Sequence, residues 1–455
     1  MVRYLAPEIV AAGWQLSLVS GSVGATGDLG YAPEFFSPLP VTVVDYTPAM
    51  DVWRSGGDPF FVAVPLQPSF EDRRGAPDRV FASLDDADFE RQVSAWSHAV
   101  RGAGLAGAAL AHLHHLTPVN EAVKRLRPEL PVVVSLHGTE LTMLEAIDGP
   151  GSGGGRPAWP HATTWAARLR GWADAADRLV VTSPTDATRA VAVLGVAEDR
   201  VVVEPPGVDQ ERFRPVRRTR ADRLRLMRSW LVDRPRGWDE SGVIGSVRYR
   251  DVDLAAFDDP EQPVLIFVGR FTFPKRLPLL LRAYGRARRD FGVRAPLLVW
   301  GGFPGEWEGE HPVTVVRDEG IDGVFFTGWR GHEDLPAGLG CADVFVSPSV
   351  GEAFGQVFVE AMACGLPVAA ASGGPLSFVN SVAGAPNGWL VPPDNPDPLT
   401  TALVEATSRS TGVVQRAVRP ANAQAQVSQR FSWTAAARHI VGHYESVTTQ
   451  PGDRN

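Results

Sequence analysis

The stretch Ser347–Ala370, SPSVGEAFGQVFVEAMACGLPVAA, decides the reading of this chain. Phe354 to Met362 reads as a glycine turn running into a helix. Gly355 permits a tight backbone approach, and Val359 and Met362 supply an apolar face. Glu352 falls in the loop before the helix, and Glu360 falls a turn or more inside it. A helix N-terminus after a glycine loop presents unpaired backbone N–H groups and suits an anion. Carboxylates beside it are better suited to accept hydrogen bonds from hydroxyls. The spacing therefore predicts a diphosphate at the helix end, with a carboxylate on each side facing a sugar.

Upstream, PVLIFVGRFTFPKRLPLLLRAYGRA (Pro263–Ala287) reads as a buried strand over Val264–Val268, a turn at Gly269 and a helix. Arg270 and Lys275 sit at the strand's C-terminal end, where open parallel sheets bind ligands. Two cations there suit a diphosphate, Arg as a fork and Lys as a point charge. Further apolar strand candidates are Trp14–Val19, Val41–Tyr46, Phe60–Val64, Val132–Leu136 and Arg178–Thr182, with Ala109–Leu113 weaker. The second half adds Leu297–Trp300, Val324–Thr327, Val344–Ser347 and Val368–Ala371, and no strand candidate is found near the C-terminus. Helical patterns alternate with them, which predicts an α/β fold of two Rossmann-like domains with parallel sheets. The hinge is expected near Pro205–Pro215, and Trp433–Tyr444 reads as a closing helix.

These two segments together resemble the retaining glycosyltransferases of family 4, whose G-R-x4-K turn and E-x7-E loop occur in this order. VVVSLHGTEL (Val132–Leu141), ADRLVVTSPTDATRAVAVLGV, VVVEPPGVDQERF and TGWRGHEDLPAGLGCADVFVSPS extend the resemblance over nearly the whole chain. It implies a GT-B fold, two Rossmann-like domains facing across a cleft, with an acceptor-side domain at 1–208, a nucleotide-sugar domain at 209–432 and a helix at 433–455 returning to the first domain. It implies that Arg270 and Lys275 hold the leaving diphosphate, Glu360 the ribose hydroxyls, and Glu352 the donor sugar. Gly269 and the backbone of Phe354, Gly355, Gln356 and Val357 cradle phosphate or sugar, and His137 reaches the sugar from the first domain. The leaving phosphate helps to take the acceptor's proton, and neither a metal nor a cofactor beyond the nucleotide-sugar co-substrate is implied. The family's E-G-F-G-L is EAFGQ here, so Ala353 and Gln356 are read as tuning which sugar fits. Its G-G-x-x-E is GGPLS, and with Ser377 at the acidic position that role does not carry over. A GT-B nucleotide-sugar epimerase and a catalytically silent nucleotide-sugar-binding protein are the alternatives.

The 455 residues suffice for two or three domains, and a net charge of −8 offers no general attraction to nucleic acid. Cys341 and Cys364 fall in apolar contexts and read as buried thiols. With no signal peptide and no membrane-spanning run, a cytoplasmic protein is expected. Within an insertion at 217–258, Arg217–Arg236 carries Leu224, Met227 and Leu231 at helical spacing. It reads as a solvated helix or as a basic surface for an anionic membrane or acceptor. His112, His114 and His115 read as loop structure, with His115 or Asn120 near an acceptor and no carboxylate nearby to complete a metal site. Asp251 and Asp253 are read as linker, Glu319 and Asp322 as surface, and Gly149–Pro157 as a flexible loop or acceptor lid. The loops GGFPGEWEG and TGWRGHE are expected to choose the base. The acceptor is a sugar, a small molecule or a lipid-linked hydroxyl. The opening helix VRYLAPEIVAAG has no strand and glycine turn before it. The natural protein is therefore expected to start upstream of Met1, and the first domain to lack a central strand.

Overall fold

The computed structural model divides the chain into two compact units, Met1–Gly207 with Trp433–Asn455, and Val208–Ser432. The residues described are 1–28, 30–72, 76–149, 159–216, 218–259, 262–372, 386–408 and 412–448, with the backbone alone for 412–418. The glycine-rich loop 150–157, Arg217 and Ser377 lie outside them.

In the first unit, β1 (Leu18–Ser22) and β2 (Val41–Asp45) pair in parallel with each other. A separate parallel sheet runs in chain order through β3 (Ala111–His114), β4 (Val132–Ser135), β5 (Arg178–Val181) and β6 (Val201–Val203). Its pleat sorts the side chains with period two. Val133 and Val180 turn to one face, against Leu5, Ile9, Ala437 and Ile440. Val134, Leu179 and Val181 turn to the other, against Leu141, Leu144, Trp165 and Leu169. Burial on both faces is why these strands read as unbroken apolar runs. The closing helix Trp433–Thr448 belongs to this unit and packs on the opening helix Val2–Ala11.

The strand expected at Trp14–Val19 begins only at Leu18, because Trp14 instead packs edge-on against Tyr444 at 5.1 Å. Phe60–Val64 bends rather than pairing, since Pro59 and Pro65 bracket it and neither can donate to a ladder. Val201–Val203, read as an interdomain segment, is a strand.

The second unit holds one parallel sheet of six strands: β7 (Leu265–Gly269), β8 (Leu297–Gly301), β9 (Val324–Gly328), β10 (Val344–Ser347), β11 (Val368–Ala371) and β12 (Gly388–Val391). Their order across the sheet is β12-β11-β10-β7-β8-β9. Ile266, Leu298, Phe325, Phe345 and Val368 pack on one face with Phe358 and Met362. Leu265, Phe267, Val299, Phe326 and Val346 pack on the other with Leu280, Leu281 and Leu403. β12 corrects the expectation of no late strand. Gly388 allows it to lie close on β11, for a Cβ there would stand 2.0 Å from the Val368 carbonyl oxygen.

The arginine-dense insertion forms the helix Arg220–Arg228, opened by a Thr219–Asp222 capping box. Met227, Trp230 and Leu231 are buried in the core. Arg220, Arg223 and Arg228 pair with Asp258, Asp343 and Asp251. The apolar side thus faces the protein. Asp251 and Asp253 open a 3-10 helix, Asp253 paired with Arg250. Cys341 and Cys364 are buried free thiols, pushed up by burial to about 11 and about 12. Among the described residues, no helix is long and apolar enough to cross a membrane.

Candidate active site

The chain leaves β7 outward through β8 and β9, then returns to lay β10 against β7 on the opposite side, with Val344 opposite Leu265 and Phe345 opposite Ile266. The strand order reverses there, and the carboxyl ends of parallel strands open a crevice at such a point. Both segments singled out in the sequence start from those two strand ends. Gly269 closes β7 and the exposed Arg270 follows it. The crevice floor is bare backbone. Gly301, at φ 119°, would place a Cβ 2.4 Å from the Gly269 carbonyl oxygen, and the Gly302 N–H donates to that oxygen at 3.1 Å.

Lys275 ends the short turn Phe273–Lys275, and the Val350 N–H donates to the Pro274 carbonyl at 2.8 Å, tying the two loops together. Across that tie Lys275 Nζ donates to Glu352 Oε1 at 2.5 Å, with both side chains under a fifth exposed. Pairing compensates two charges that would be costly to bury singly. The helix Gln356–Ala363 starts at Gly355, whose φ of 82° suits glycine and which has no side chain to cap it, and its first turn carries no acid. It is held down by Phe358, edge-on to Phe345 at 5.0 Å, while Phe354 contacts Phe431 at 5.6 Å. Gln356 and Val357 form its first turn. Glu360 is buried on the next turn, and its Oε1 accepts a hydrogen bond from His332 Nε2 at 2.9 Å. The structure thus gathers Gly269, Lys275, Glu352 and the helix start around one pair of strand ends. His332 was not singled out in the sequence, where it is one residue of the loop TGWRGHE.

In the first unit, β4 runs into His137 and Gly138, which at φ 90° starts the helix Thr139–Asp148. His137 Nε2 lies 3.0 Å from His114 Nδ1, and the two rings stack at 5.2 Å. His112 also stacks on His114, at 4.9 Å, its nitrogens 2.6 Å from the Tyr444 hydroxyl and 2.8 Å from Ser135 Oγ. His112 and His114 therefore belong to β3 rather than to a loop. His115, at φ 66°, lies 3.3 Å from both oxygens of the fully buried Glu140, a carboxylate the sequence reading had not found nearby. Glu140 also accepts from the His137 N–H at 3.2 Å. Burial raises its carboxyl, but the His115 hydrogen bond and neighbouring imidazoles outweigh that and leave it lowered. Burial, then the mutual repulsion of the imidazoles, pushes His112 and His137 down to about 4 and His114 well below its ordinary value. Asn120 is buried, its amide donating to the His115 and Thr117 carbonyls, each at 3.0 Å. Among the described residues, no group of three or more His, Cys, Asp and Glu is arranged to hold a metal ion.

Residues 1–212 match the family described as Glycosyltransferase Family 4, and residues 262–409 match Glycosyl transferases group 1. A D-inositol 3-phosphate glycosyltransferase of Saccharomonospora viridis is 34% identical over 278 residues, 59% of this chain and 55% of that protein. D-inositol 3-phosphate glycosyltransferase 1 of Catenulispora acidiphila is 30% identical over 346 residues, 74% of this chain and 71% of that protein. Several such relatives are matched over little more than half of their own length. The solved structure of Anabaena HepE in complex with UDP and glucose superposes with a TM-score of 0.60 at 18% identity, covering 98% of this chain and 96% of that one. At that identity the likeness speaks for the fold, two Rossmann-like domains of GT-B type.

Proposed function

This chain belongs to the family 4 glycosyltransferases, and on that premise we propose that it moves a sugar from a nucleoside-diphosphate sugar to an acceptor hydroxyl, retaining the anomeric configuration. The observation that carries the reading is the Lys275–Glu352 pair, set beside the helix start at Gly355 where β7 and β10 meet. Arg270, Lys275 and the first-turn N–H groups of Gln356 and Val357 stabilise the charge that builds on the leaving diphosphate. An arriving diphosphate gives Lys275 a second anionic partner, and Glu352 is then positioned to accept hydrogen bonds from the sugar. Phe354 and Gly355 shape the cradle, Gly269 leaves room above the strand end, Glu360 takes the ribose hydroxyls, and His137 contacts the donor sugar. A phosphate oxygen, not a protein carboxylate, accepts the acceptor's proton on the same face of the sugar. No metal or further cofactor enters this scheme.

UDP is the favoured nucleotide, supported by the UDP complex of the structural neighbour. A phosphorylated cyclitol or sugar is the favoured acceptor, supported by the names of the relatives. Those relatives are transferases, which leaves the epimerase and silent-binding readings without support. Lys275→Ala tests the proposal in an acceptor-dependent assay of UDP release. Loss of one such cation should lower turnover by about a hundredfold or more. Sugar interconversion without an acceptor, or turnover unaffected by Lys275→Ala, would contradict it.

A further inference from the structure

Glu360 is 5% exposed, yet only its Oε1 is engaged, by His332 Nε2 at 2.9 Å; Oε2 accepts no hydrogen bond among the described residues. An ionised carboxylate accepts at both oxygens and through two directions at each. Held by one protein donor, Glu360 keeps its other acceptor directions open to a ligand. Because the carboxylate only accepts, the imidazole carries its proton on Nε2. His332 sits in the loop between β9 and the short helix Leu335–Leu339, and several contacts fix it. Its carbonyl accepts from the Leu335 N–H at 3.3 Å, and its ring lies 5.3 Å from that of Phe213. Two residues earlier, the buried Arg330 donates to the carbonyls of Trp230 at 2.9 Å and Arg234 at 3.1 Å. The loop is thus anchored while the imidazole remains 44% exposed.

We propose that His332 is a positioning residue of the nucleotide subsite. Its Nε2–H holds the Glu360 carboxylate in one rotamer, so that Oε2 and the remaining direction of Oε1 receive the two hydroxyls of a ribose diol. The inference rests on Glu360 being the ribose contact proposed above, and adds the residue that orients it.

The test is calorimetric titration of the full chain with UDP and with 2′,3′-dideoxy-UDP. His332→Ala should weaken UDP by about tenfold, the scale of one hydrogen bond to a charged group, and leave the dideoxy analogue's affinity unchanged. His332→Gln, whose amide N–H can stand where Nε2–H stood, should restore UDP binding. In turnover His332→Ala should raise KM for the donor with kcat preserved. Equal loss on both ligands, or no loss on either, would overturn the role given to His332. Glu360→Ala separates this from failure of the parent reading, since it should abolish the preference for UDP over its dideoxy analogue. If it does so while His332→Ala does not weaken that preference, the inference about His332 alone is wrong. If Glu360→Ala leaves the preference intact, or the unmodified chain does not bind UDP, the ribose reading falls and the role of His332 with it.

Discussion

His114 stacks with both His112 and His137, and the protonation of the three couples the first unit to pH. Burial and mutual repulsion hold their pKa below the ordinary 6.5, to about 4 for His112 and His137. The unfolded chain therefore takes up these protons first as the pH falls. Stability from the stack is complete above pH 6.5 and is lost progressively as the pH drops from there towards 4. Glu140, also lowered, adds a loss of the same sign at still lower pH. Thermal unfolding followed from pH 7.5 to 4 at constant ionic strength should show this acid limb, and His114→Gln should flatten it. A midpoint that is level across that range would contradict the assignment. At this scale the sequence was legible where a pattern sets position, and it put Lys275 and Glu352 at neighbouring strand ends and Glu360 inside the helix that follows. It was silent on Glu140 and His332, which meet His115 and Glu360 only through the fold, 25 and 28 positions away.

Among elements, strands buried on both faces were the easiest to read. β4, β5, β7, β8, β9 and β10 are apolar runs whose length alone separates them from helices. The misses share a cause, since apolar composition does not say whether a partner strand is available. Phe60–Val64 has the composition of a strand, but its flanking prolines leave it unpaired, with Phe61 exposed to solvent. Gly388–Val391 is short and ends at Pro392, and pairing with β11 makes it a strand. The helix Gln356–Ala363 was legible because Gly355 announces its start. That start is also testable. Gly355→Ala forces a side chain into the left-handed region at φ 82°, which costs about 1–2 kcal/mol. Chemical denaturation should register that loss, together with weaker UDP binding. Unchanged stability and affinity would mean that the turn relaxes without disturbing the site.

For the molecule as a whole, each unit has its own core and its own parallel sheet. The diphosphate half of the proposed reaction falls within Val208–Ser432, so it can be tested separately from the choice of acceptor. The measurement is a thermal-shift panel with UDP, GDP, ADP and dTDP, run on the unmodified chain and on Arg270→Ala/Lys275→Ala. At a hundredfold excess over its dissociation constant, a ligand that binds only the folded state adds about 2.7 kcal/mol. The account predicts a clear rise in melting point with UDP that disappears in the double variant. No rise with any of the four, or a rise that survives loss of both cations, would contradict it.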